Sequence, residues 1–197
     1  GKLIFLYASD IEEQHSYIET AKDKGYKILL LDSPIIAHLI QKLEGDKEKI
    51  AFARVDGDAV ENLIKKEEAT VSKLSDEEKD ALKPLIESVV PSDKYTIQME
   101  AMDSGNLPFV ITQPEFMRRM KEMQQTGGGG MMSGFPEMFT LLVNTNHELV
   151  GQILNTKTTK KRERLIQQSL DLARLSQNLL KGEALTTFIR RSVDLIK

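Results

Sequence analysis

Apolar residues change their period along this chain, and the changes mark elements. Leu3–Ala8, Lys27–Leu31 and Ile50–Val55 are short, nearly continuous apolar runs, which predict buried strands. The segments between them carry helical spacing. Ser9 or Asp10 can cap a helix to about Lys24, with Glu12 and Glu13 where the dipole favours acids and Gly25 as its C′ residue. Asp32 or Ser33 can cap a second helix, with Pro34 in its first turn, an apolar stripe at Ile35, Ile36, Leu39, Ile40 and Leu43, and Gly45 at its end. The order β-α-β-α-β predicts a small parallel sheet with covering helices.

The pattern then loosens. Val60–Lys73 is charged, helical at first, and reads as a connector. Asp76–Val89 predicts a helix that Pro84 bends or restarts. Tyr95–Ala101, Phe109–Ile111 and Phe139–Val143 predict strands, with a turn at Asp103–Asn106 and hairpin-like or loop connections, hence a mixed sheet. A domain boundary is expected within residues 67–78. Arg162–Lys181 is a long helical stretch carrying Leu165, Ile166, Leu170, Leu172, Ala173, Leu175, Leu179 and Leu180; Gly182 breaks it, and Glu183–Ile196 follows with Leu185, Phe188, Ile189, Val193 and Ile196. One partner helix cannot cover so broad an apolar surface. Either the pair packs on its own sheet or it meets a second copy as a four-helix bundle, and the scarcity of further elements favours self-association. The expected fold class is α/β plus α+β: a small β-α-β-α-β layer domain, then a mixed sheet with helices and a C-terminal helical dimerisation pair.

Composition narrows the function classes. A chain of 197 residues suffices for one large or two small domains, and 40% apolar with 29% charged residues is ordinary for a soluble protein. The net charge of −3 gives no global attraction to nucleic acid or anionic membrane. With no cysteine there is no disulfide framework, thiolate chemistry or Cys-based zinc site. No apolar run approaches the roughly 20 residues that span a bilayer, and no signal peptide is visible. The chain opens directly on Gly-Lys-Leu-Ile-Phe, which suggests a piece of a longer protein.

Candidate chemistry is sparse. His15, His38 and His147 are too far apart to suggest a shared metal and read as packing, surface, loop or cap residues. No Gly-x-Ser-x-Gly elbow occurs. Gly127–Gly130 lacks the Gly-Lys-Ser/Thr of a phosphate loop. Five basic residues lie in Lys157–Arg164 without interleaved aromatics, the pattern of a solvated helix start more than of a phosphate-binding patch. Nothing suggests a catalytic site.

The methionines are the distinctive feature. All 8 fall between Met99 and Met138. Methionine adapts to many shapes and is over-used on promiscuous binding surfaces, but it also fills irregular cores, and composition alone favours the core. Within the run, Thr112 and Glu115 form a Thr-x-x-Glu capping box that predicts a helix start. Phe116, Met117, Met120 and Met123 would then share one face, with Arg118, Arg119 and Lys121 opposite. So short a helix, followed by four glycines, needs a surface to lie on, its own domain or a client.

Several stretches together resemble the heat shock protein 90 chaperones of bacterial HtpG type. Leu107-Pro-Phe-Val-Ile-Thr-Gln-Pro-Glu-Phe-Met-Arg-Arg-Met120 resembles that family's strand followed by a Met-bearing amphipathic helix. Leu141-Leu-Val-Asn-Thr-Asn-His-Glu-Leu-Val150 resembles a strand ending in Asn-x-x-His-x-Leu-Val. Phe188-Ile-Arg-Arg191 matches the closing helix, and Ile28-Leu-Leu-Leu-Asp32 with its flanks resembles the small α/β subdomain that ends the middle domain. The segments keep the family's order over nearly the whole chain.

The resemblance implies a small α/β subdomain at 1–67, a connector at 68–78 and a C-terminal dimerisation domain at 79–197. It implies a homodimer in the cytoplasm that holds unfolded or partly folded clients, with no nucleic-acid or membrane partner. Phe116, Met117, Met120, Met123, Met131 and Met132 would contact clients, while Met99 and Met102 stay undecided. Leu172, Leu175, Leu179, Leu185, Phe188, Ile189 and Ile196 would form the dimer interface. ATP and magnesium would bind a separate N-terminal domain, so this stretch is expected to hold no cofactor and not to hydrolyse ATP. The acidic Met-Glu-Glu-Val-Asp tail of eukaryotic members is absent, which disfavours tail-binding co-chaperones. A rival reading is a dimeric regulatory or scaffold module whose α/β half binds a small ligand at the strand C-terminal ends. Against it, Ala8-Ser9-Asp10 and Asp32-Ser33-Pro34 lack a glycine fingerprint.

Overall fold

The computed structural model describes residues 2–33, 35–57, 71–114, 117–119 and 138–196. The expected connector helix from Val60 and the cap partner Glu115 lie outside these residues. The chain forms two compact units, residues 1–69 with 112–139, and residues 70–111 with 140–197. The fold class is the expected one, a parallel α/β layer and a second sheet with helices.

In the first unit, β1 (Leu3–Ala8), α1 (His15–Asp23), β2 (Ile28–Leu30), α2 (Ile36–Asp46) and β3 (Ile50–Arg54) alternate as the hydrophobic period predicts. The sheet order is β2-β1-β3, with both pairings parallel and Phe5 opposite Phe52. Right-handed crossovers outward to β2 and back past β1 to β3 put the two helices on opposite faces. Leu6, Ala8, Ala53 and Val55 pack toward Ile18 and Ala21 of α1, as strand alternation requires. The other face carries Phe5 stacked on Phe52 at 5.3 Å.

Two helix starts differ from expectation. Asp10 accepts from the Glu12 and Glu13 N–H groups, but this closes a turn, and α1 begins only at His15. The buried Gln14 delays it by turning its Oε1 back to the Ser9 and Asp10 N–H groups at 2.8 and 3.0 Å. Helix α2 has Ile35 at its N-cap with no side-chain cap bond, and it runs through Gly45. Its inward face also differs: Ala37 and Ile40 are buried while Ile35 and Leu39 are exposed.

In the second unit, α3 (Asp76–Glu87) starts at a capping box in which Ser75 Oγ accepts from Glu78 N–H and Glu78 accepts from Ser75 N–H. It continues through Pro84 without stopping. Strands β4 (Tyr95–Glu100), β5 (Phe109–Thr112) and β6 (Phe139–Asn144) form a sheet of order β4-β6-β5. The turn at 103–106 therefore does not make a hairpin, because β6 enters between β4 and β5. What holds it there is the loop after β6. Asn144 Nδ2 donates to Asp103 C=O, Thr145 N–H to Glu100 C=O, and Asn144 N–H to Pro108 C=O. Asn146 Nδ2 donates to Val71 and Met102 C=O while its Oδ1 accepts from Lys73 N–H. All three loop residues are buried, so these bonds prevent a costly loss of hydration.

His147 then caps α4 (Glu148–Asn155), its Nδ1 accepting from Leu149 N–H. This helix was not predicted. Helix α3 packs on α4, and α4 on α5 (Thr159–Ser176), with Leu82, Ile86, Val150, Ile153, Ile166 and Leu170 fully buried. The last helix is α6 (Gly182–Ile196).

Candidate interaction sites

The methionine segment enters the first unit at its described residues. Met117, Arg118 and Arg119 are helical, and Met117 is half-buried. Gln113 bridges Gly57 just beyond the end of β3. Arg118 is buried, donates to the Tyr7 hydroxyl at 2.7 Å, and lies over the Tyr7 ring at 5.6 Å. The Arg119 guanidinium binds Glu44 of α2 at 2.6 and 3.2 Å and also donates to Phe52 C=O at 2.8 Å. Glu44 Oε1 in turn accepts from Phe52 N–H at 2.7 Å. Phe52 lies on β3, an edge strand, and Val55 N–H bonds Tyr7 C=O on β1. The period-2 ladder therefore turns the Phe52 N–H and C=O outward, where Glu44 and Arg119 satisfy both. Arg118 and Arg119, expected on a face opposite the methionine stripe, are instead the residues that attach this segment to its own unit.

The helix pair α5–α6 is fixed by a polar network. Arg191 Nη2 donates to Asp171 Oδ2 at 2.6 Å and Arg191 Nε to Gln168 Oε1 at 2.7 Å, while Gln168 Nε2 donates to Ser192 Oγ at 3.1 Å. Asp171 is buried and also accepts from Gln167 on its own helix. Arg191 covers the Phe188 ring at 5.8 Å. With the pair so joined, Leu172 and Leu175 of α5 and Ile189, Val193 and Ile196 of α6 remain exposed, Ile196 at 86%. The α6 residues recur at i, i+4 and i+7, one face of a helix.

The whole chain is similar to part of several curated proteins. Chaperone protein HtpG of Bacteroides thetaiotaomicron is 32% identical over 264 aligned positions, covering 100% of this chain and 39% of that protein. Chaperone protein htpG of Bacteroides fragilis strain 638R is 32% identical, covering 98% of this chain and 38% of its own length. Chaperone protein HtpG of Porphyromonas gingivalis strain ATCC 33277 is 32% identical, with 100% and 39% covered. No protein-family model matches the chain. The chain is similar over its whole length to HtpG chaperones. It spans about two fifths of the length of these relatives, in their C-terminal part.

The motifs that resemble HtpG now have physical roles. Asn144 and Asn146 order the buried loop, His147 caps α4, and Phe188 and Arg191 pack together on the inner side of the helix pair. Of the residues expected to contact clients, Met117 is described and half-buried; Phe116, Met120, Met123, Met131 and Met132 lie outside the described residues. Met102 is buried and Met99 half-buried. Of the expected dimer residues, Leu172, Leu175, Ile189 and Ile196 are exposed, Leu179 and Leu185 half-buried, and Phe188 buried within its own subunit. Phe188 therefore supports the pair from behind and does not form part of an open face. Sequence reasoning missed Asp171, Gln168, Arg191 and Glu44 as positioning residues. Asp171 and Arg191 were the available signal, since a charge inside an apolar helix face needs a partner.

The turn after β1 has its backbone donors engaged within the chain. The two N–H groups after β1, where such folds meet phosphates, are both bonded to Gln14 Oε1. The described residues contain no group of three or more His, Cys, Asp or Glu able to hold a metal ion. No described helix is long and apolar enough to cross a membrane.

Proposed function

We propose that this chain is the self-associating and client-contacting part of a cytoplasmic HtpG-type chaperone. The observation that carries the reading is the helix pair α5–α6, locked internally by Arg191 and Asp171 yet exposing Leu172, Leu175, Ile189, Val193 and Ile196. Exposed apolar rows on a rigid pair fit a two-fold four-helix bundle, in which each copy covers the other. Client contact falls to the methionine segment at Phe116, Met117, Met120, Met123, Met131 and Met132, whose side chains can adapt to irregular apolar surfaces. A dimer carries two such segments, so a client that touches both gains effective concentration. ATP hydrolysis and magnesium belong, on this reading, to a domain outside the chain. The small-ligand scaffold has no observation in its favour.

The triple substitution Met117→Ser, Met120→Ser and Met123→Ser tests client contact. It is expected to weaken suppression of the aggregation of heat-unfolded citrate synthase severalfold while the solution molar mass stays that of the dimer. Suppression equal to that of the parent chain would remove the client role of this segment.

A further inference from the structure

We draw no further inference here: the strongest candidate, the exposed apolar surface of Leu29 and Leu30 on edge strand β2 with Ile35 and Leu39 at α2, carries nothing because nothing in the structure shows what covers it.

Discussion

Glu44 occupies the inward side of α2 beside Ile40, a position where an apolar residue would ordinarily sit, and its titration follows from that setting. Burial raises its pKa. The hydrogen bonds from Arg119 and from Phe52 N–H, with the charges of Arg119 and Lys2, outweigh that and hold it below the ordinary glutamate value. The folded pKa is therefore the lower one. The stability contributed by Glu44 is fully present above the unfolded value, about 4.3, and is lost as pH falls through the folded one. Exchange at the Met117, Arg118 and Arg119 amides, corrected for intrinsic rates, is expected to accelerate as pH drops past that window. In the Glu44→Gln chain the corrected profile is expected to be flatter. A parent profile as flat as that of the variant would show that the carboxylate does not govern the contact. Arginine spacing alone did not show any of this. A helical wheel places Arg118 and Arg119 away from the methionines, and a solvated face is the usual fate of such residues. Only the tertiary partner, Tyr7 for one and Glu44 for the other, makes them attachments.

At the scale of elements, the legible features were those fixed by local period, and the illegible ones were decided by distant partners. Strands β1 and β3 and helix α3 follow from neighbouring residues. The late start of α1 depends on Gln14 folding back to the Ser9–Asp10 turn, and the insertion of β6 between β4 and β5 depends on a buried asparagine loop. Helix α4 is short and contains Gly151, so propensity argues against it, yet the cap by His147 and the buried Val150 and Ile153 sustain it. The end of α5 is a third case. Gly182 is the obvious stop, but the helix stops at Ser176 because Asn178 adopts a φ of 53°. Leu179 N–H reaches Arg174 C=O at 2.8 Å and Asn178 N–H reaches Leu175 C=O at 3.1 Å, the paired bonds of a Schellman motif. Asparagine tolerates this conformation and β-branched residues do not. Asn178→Gly is thus expected to preserve or slightly raise the melting temperature, and Asn178→Val to lower stability by about 1–2 kcal/mol. Equal melting temperatures for the two variants would mean the turn does not constrain the helix pair.

For the whole molecule, the likeness to HtpG and the exposed rows bear on one question, what covers α5–α6. The alignment with the Bacteroides thetaiotaomicron protein runs over 264 positions against 197 residues here, so the relative carries additional residues inside the matched stretch. Within this chain Asp171, Gln168 and Arg191 set the helix pair rigidly, which turns scattered leucines and isoleucines into two fixed rows. A preformed surface of this kind associates with little further ordering cost. Leu175→Glu together with Ile189→Glu would place charges in the contact twice over, once from each copy. Both positions are exposed in the single chain, at 44% and 52%, so the subunit fold is expected to survive. The dissociation constant measured by sedimentation or light scattering is expected to rise at least about a hundredfold, equivalent to about 2.7 kcal/mol. A double variant with the parent's molar mass at micromolar concentration would mean that these rows face something other than a second copy, and the bundle would have to be abandoned whatever the likeness to HtpG.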